Sequence, residues 1–293
     1  MSVYGRTYRA YSGPLTPERR RFLVLARYGL GDLFASRAFL AFFVLCFVAP
    51  FITSLRIYLG HNIEAIGVLE IPQAIVDQLL GVDAAFFRNW VLIPQSFFAF
   101  FLAMIVGPAL VSPDLRNNAL PLYLARPIRR HEYVAGKLGV LFALLSAVTW
   151  APALLLFWLQ SYLAPLDWLS RHAQVAPALF IAAWAWIVTL SLVGLAISAV
   201  VRWKAVARLL FLALPFFLGA MGTVINLAFR TRWGGLIRVP EVLWTIWGSL
   251  LGLPLDNSNS IGAPAAWAVL AATWALCLLI LRRKVRAYEV ERG

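Results

Sequence analysis

Apolar residues along this chain gather into six blocks, each near the roughly 20 residues that a helix needs to cross a bilayer. The blocks lie near 38–59, 92–112, 138–163, 175–201, 205–229 and 263–281. The pattern predicts an all-α integral membrane protein with six transmembrane helices. It divides the chain into a cytoplasmic N-terminus (1–37), a six-helix transmembrane domain (38–281) and a basic cytoplasmic tail (282–293).

Three further segments are apolar but do not span. Over Pro17–Arg37, a helix places Phe22, Leu25, Ala26, Gly29, Leu30 and Leu33 on one side, with Arg20 and Arg27 roughly opposite. That is an amphipathic helix suited to the cytoplasmic interface. Gly29, Gly31 and Asp32 set it apart from the first span. The loop 60–91 carries Glu64, Glu70, Asp77 and Asp83 among apolar residues and predicts one or two short surface helices. Val239–Leu253 is apolar but too short to span, opened by Pro240 and closed by Pro254. It predicts a re-entrant segment dipping into the outer leaflet before the last span.

Within the spans, small residues recur at helical spacing at Ala143, Ala147 and Ala151, at Gly194 and Ser198, and at Gly219 and Gly222. Such stripes let helices approach closely. Prolines at 50, 94, 108, 152 and 215 are tolerated in spans and bend them. Tyr58, Trp90, Trp168 and Trp203 fall at span ends, where amphipathic rings settle.

Composition strengthens the membrane reading. Of 293 residues, 62% are hydrophobic, well above the half expected of a soluble domain. The charge pattern adds orientation. Of the 26 Lys and Arg, 20 lie on the side of the two termini and 6 on the other, while the acidic residues split 6 to 7. Basic residues are retained in the cytoplasm, so both termini are predicted there, with the bacterial inner membrane as the setting. The net charge of +13 therefore reads as topology and contact with anionic lipid, not as nucleic-acid binding. No signal peptide is expected, because residues 1–37 lack an apolar core of the needed length.

Candidate chemistry is sparse. Cys46 and Cys277 lie inside apolar runs, there is no CxxC, and His61, His131 and His172 are scattered, so no metal site is expected. Gly136-Lys137 is followed by Leu138 and lacks the upstream glycine of a P-loop. No HExxH, GxSxG or intramembrane carboxylate pair occurs. The chain is therefore not expected to be an enzyme or to hold a cofactor. Ionisable residues mark proton-driven carriers. Here Arg56 and Arg208 sit near span ends, where they would snorkel outward, and Asn226 is the main deep polar side chain. Any transport would draw its energy from a separate motor subunit.

The polar break from Ser112 to Lys137 is where such a motor would attach. It holds Arg116, Arg126, Arg129, Arg130 and Lys137 against Asp114 and Glu132. Ser112 is placed to cap a helix, Pro113 fits a first turn and Asp114 complements its dipole. This predicts a short helix over Pro113–Leu120, stopped by Pro121, then an extended turn at Ala125-Arg126-Pro127.

The order of residues here resembles the permease subunit of type-2 (exporter-type) ABC transporters. The matching positions are Asp114, Leu124, Arg126, Pro127, Ile128, Arg130, Glu132, Tyr133, Gly136 and Lys137. The likeness extends more loosely to the leading amphipathic helix, the six spans and the dipping segment. It implies a cytoplasmic coupling helix contacting an ABC ATPase subunit through Asp114, Leu115, Arg116, Asn117, Leu124, Arg126, Pro127, Arg130 and Glu132. ATP and Mg would be bound by that partner. A second permease copy or homologue would pair through the first, second and fifth spans. It further implies a translocation path along the second and fifth spans, with Phe97, Phe98, Phe101, Met104, Phe216, Phe217 and Met221 as its candidate lining. That lining suits a hydrophobic or amphipathic cargo, although lipid contact and bundle packing account equally well for each residue. The rival expectation is a membrane anchor or regulatory subunit that transports nothing.

Overall fold

A computed structural model describes residues 21–62, 81–117, 130–254 and 261–284. The described residues are helical throughout, with no strand, and include six helices long and apolar enough to cross a membrane. These are Arg37–His61, Ala84–Arg116, His131–Leu163, Val175–Val200, Lys204–Phe229 and Ala263–Lys284. That is the architecture of an integral membrane protein.

The first span consists of α2 (Arg37–Leu45) and α3 (Val48–His61). The third consists of α5 (Arg130–Val148) and α6 (Trp150–Leu163). Both breaks have the same cause. Pro50 has no N–H for the carbonyl of Cys46, and Pro152 none for Val148, so the ladder opens one turn upstream of each ring. Thr149, at the second break, also donates from its hydroxyl to the Leu145 carbonyl at 2.7 Å.

The second span begins eight residues before its predicted start, through Ala84–Phe86 and a π-helical turn, Phe87–Leu92, before α4 (Ile93–Arg116). Asp83 caps it, accepting from Phe86 N at 2.7 Å. The third span likewise begins at 130 rather than 138. Pattern reading placed both starts late because charged residues opened them.

The fourth span, α8 (Val175–Val200), is the hub. Two thirds (67%) of its apolar window is buried, against 11% for the fifth span, α9 (Lys204–Phe229), and 17% for the first. It packs on the second, third and sixth spans, the last being α11 (Ala263–Lys284). Its contact with α4 is backbone-close. A Cβ on Gly107 would lie 3.3 Å from Gly194 Cα, so glycine on both sides sets the approach. The predicted Gly194/Ser198 stripe faces this contact. The alanine stripe of the third span does not pack as expected, since Ala143 is exposed.

Three shorter helices flank the spans. α1 (Arg21–Phe34) has the predicted apolar face, but that face lies on α5 of the third span. A Cβ on Gly136 would fall 2.8 Å from Leu25 Cβ and 3.0 Å from the Phe22 carbonyl oxygen, and one on Gly139 3.4 Å from Ala26 Cβ. At the other end, α7 (Leu166–His172) precedes the fourth span, and α10 (Val239–Leu250), a helix within the stretch expected to dip into the outer leaflet, packs against α8 and α11. It ends at Gly252, whose φ of +66° suits glycine. The segment 60–91 is described only at its edges, so its expected surface helices, with Glu64, Glu70 and Asp77, lie outside the described residues.

Candidate functional site

The sequence singled out the end of the bundle that carries Asp114. There the structure departs from the expected local geometry. Ser112 does not cap a new helix. α4 runs unbroken through Pro113 to Arg116 and closes at Asn117. The reason is tertiary. Ser112 is fully buried, and its hydroxyl donates to the Val201 carbonyl at 2.7 Å. Ser198 reaches back, accepting from Ser112 N at 2.8 Å and Val111 N at 3.1 Å and donating to the Pro108 carbonyl at 3.1 Å. These bonds serve a stretch of helix in which Pro108 and Pro113 lack donors, and so allow the helix to continue. The predicted helix over Pro113–Leu120 is thus not a separate element up to residue 117. Leu124, Arg126 and Pro127 lie outside the described residues, as does the side chain of Arg130.

Asp114 therefore sits in the last turn of a helix, where the dipole disfavours a carboxylate. The third span supplies the compensation. Tyr133, wholly buried, donates from its phenol to Asp114 Oδ2 at 2.6 Å. Lys137 Nζ stands 2.9 Å from the same oxygen. Tyr133 and Lys137 are one helical turn apart on α5, so they close on the carboxylate from one face. Both side chains of the ion pair are only 16% exposed, a setting where Coulomb attraction is little screened. Arg116 lies on the ring of Trp203, 4.5 Å from its centroid, just before the fifth span. Leu115 packs against the core, Asn117 is exposed, and Glu132 is half-buried. Asp114 thus reaches the third span, and Arg116 the residue that leads into the fifth.

Gly136 lies between Tyr133 and Lys137, with α1 seated on it. The end of the second span, the start of the third and the leading helix therefore form one packed unit. Tyr133 and Lys137 were part of the sequence motif but had no assigned role. Only the fold reveals that they answer Asp114.

Arg208 also behaves differently from expectation. It does not snorkel to an end. Its Nη2 donates to the Ile105 carbonyl at 2.9 Å. Pro108 lies three residues on, and a proline ring loosens the carbonyls of the preceding turn. The guanidinium occupies that opening and ties the fifth span to the second. Arg56, expected to snorkel from the first span, lies over Trp90 at 4.1 Å and Phe86 at 5.0 Å.

The seven residues expected to line a path divide. Phe97, Phe101 and Phe216 share a hollow of about 480 Å³ with Phe100, Trp186 and the α10 tryptophans Trp244 and Trp247. Phe98 and Met104 pack toward the core instead. Phe217 and Met221, 62% and 41% exposed, face outward and do not line this hollow. Helical phase decides this, because side chains one position apart point about 100° apart. Trp244 and Trp247 were missed as lining residues, although their rich aromatic helix was the available signal. No family model matches the chain and no curated protein matches it, so the geometry above is the ground for a functional reading.

Proposed function

We propose that this chain is the membrane-spanning permease subunit of a type-2 ABC transporter, using ATP hydrolysis in a separate subunit to export a hydrophobic or amphipathic substrate. The observation that carries this reading is the lock at Asp114. The residues that flank the basic stretch 118–129 in sequence are joined by the Asp114–Lys137 ion pair and the Tyr133 hydrogen bond. A force applied to that loop would move the second and third spans together instead of bending the loop. The order of residues across the loop supports the same assignment, as does α1 braced on Gly136. Movement would pass from the second span to the fifth through Arg208 and the Pro108 bend, a rigid-body shift of packed helices.

Isolation of the tagged full-length chain from its native host in mild detergent tests the reading. A soluble P-loop ATPase is expected to co-purify in stoichiometric amount. In that complex, Asp114→Ala, or Arg126→Ala with Arg130→Ala, is expected to uncouple hydrolysis or weaken ATPase binding. Co-purification of membrane subunits alone, or variants that leave both properties unchanged, would overturn it in favour of an anchor or regulatory subunit.

A further inference from the structure

The hollow beside Phe97 and Phe216 has features that bundle packing does not require. Its wall is apolar over Ile93, Phe97, Phe101 and Leu243. Phe97 and Phe216 are 60% and 72% exposed, so it opens sideways, toward the membrane interior. From Ile93 to Phe101 the wall follows nine residues of α4, about 12 Å of rise, close to the roughly 15 Å depth of one hydrocarbon leaflet. Its volume lies within the range of small-molecule sites.

One polar group belongs to this apolar frame and a second lies beside it. Trp247 lines the hollow and is 94% buried, yet its indole N–H has no partner among the described residues. A buried indole N–H usually finds an acceptor. The guanidinium of Arg88 lies over the other lining tryptophan, Trp244, 4.1 Å from the ring centroid. Arg88 belongs to the π-helical turn at the head of the second span, the level at which arginine and tryptophan meet lipid head groups.

We infer that this hollow binds one acyl chain of an anionic glycerolipid, taken from the leaflet at the α10 end. The chain lies along Phe97 and Phe101, an ester carbonyl accepts from Trp247 Nε1, and the phosphate sits at Arg88. Charge complementarity at Arg88, the unpartnered donor and a hollow about one leaflet deep together select this occupant over a second copy of the protein. The inference rests on the chain crossing a bilayer and not on a motor subunit, so its failure leaves the proposed function untouched.

The test uses the purified full-length chain in phosphatidylcholine nanodiscs. Each sample carries a trace of phosphatidylglycerol or phosphatidylcholine with a diazirine in one acyl chain. After illumination, adducts are mapped by peptide mass spectrometry. Adducts are expected to concentrate on 93–101, 212–216 and 239–247, several-fold more with the anionic probe. Arg88→Gln is expected to lower anionic labelling about tenfold, the scale of one lost charge-assisted contact. Trp247→Phe keeps the ring, removes the N–H, and is expected to lower labelling by both probes. Burial of Cys46 and Cys277 against a thiol dye verifies that each variant is folded. Labelling equally heavy on the outward Leu209 and Leu227 would overturn the inference, since it would show general lipid contact only. So would indifference to head-group charge, or disulfide pairing of two copies through Phe216→Cys.

Discussion

Asp114 shows how one side chain can be legible while its role is not. An acidic residue leading a basic loop is visible in the sequence. Its partners are not, because Tyr133 and Lys137 lie across a loop whose ends are brought together only by packing of the second and third spans. The pairing has measurable consequences. Asp114→Asn keeps the shape and removes the charge, leaving Lys137 half-buried beside a neutral amide. It is expected to cost about 2 kcal/mol, and Tyr133→Phe about 1.5 kcal/mol, both in line with hydrogen bonds to a charged group. Heat-induced exposure of the buried thiols of Cys46 and Cys277 reads both losses. Adding Lys137→Met to Asp114→Asn should cost less than the sum of the two single changes, and strict additivity would show that the pair does not couple. Glycines give a sharper contrast. A Cβ on Gly222 would overlap the Gly234 carbonyl oxygen, whereas one on Gly219 meets nothing within 4 Å. Gly222→Ala is expected to destabilise by about 1–3 kcal/mol, and Gly219→Ala to be neutral or stabilising by up to about 1 kcal/mol. The same thermal assay should therefore shift in opposite directions, or only for Gly222.

At the scale of elements, the leading helix is the instructive case. Its apolar stripe is readable from spacing, and it forms as expected over Arg21–Phe34. Spacing does not say what the stripe meets. A lipid interface and a neighbouring helix satisfy the same apolar face, and the choice fell to Gly136, where a missing side chain lets the helices touch. Gly136→Val is therefore expected to lift α1 from the third span while leaving the six spans in place. Limited trypsin digestion at exposed Arg27 should accelerate several-fold, with little change in thermal unfolding of the remainder. Unchanged cleavage would mean that α1 is held elsewhere. The second span illustrates the converse error. Ser-Pro-Asp is a sound local signal for a helix start. It was overridden because the Ser112 hydroxyl found the fourth span, where Ser198 supplies bonds beside two prolines. Ser198→Ala is expected to cost about 1 kcal/mol, the usual size of an interhelical hydrogen bond in a membrane protein.

For the whole molecule, the bias of basic residues predicts that the Asp114 end and the α10 end face opposite compartments. In a Cys46→Ala/Cys277→Ala background, single cysteines at exposed Asn117 and Tyr162 should label from opposite sides of sealed vesicles. Labelling from one side would refute the six-span topology. The six helices of bilayer length were legible in the sequence alone. Six apolar blocks of bilayer length admit no other economical arrangement, because every backbone polar group inside a membrane must be satisfied within its own helix. The order of the spans follows from the same constraint, and so does a helix over Val239–Leu250, too short to cross. Which span lies at the centre did not follow, since a uniformly apolar helix gives no directional signal for its neighbours. Packing made the fourth span the hub through Gly107, Gly194 and Ser198. Tertiary structure likewise placed Phe97, Phe101 and Phe216 together, turned Phe217 and Met221 away, and drew Arg208 inward to a carbonyl near Pro108. Sequence pattern determines what must be in the membrane, because burial of apolar area is additive along the chain. Contacts between helices depend on steric fit and paired polar groups far apart in sequence, so only the assembled bundle decides them.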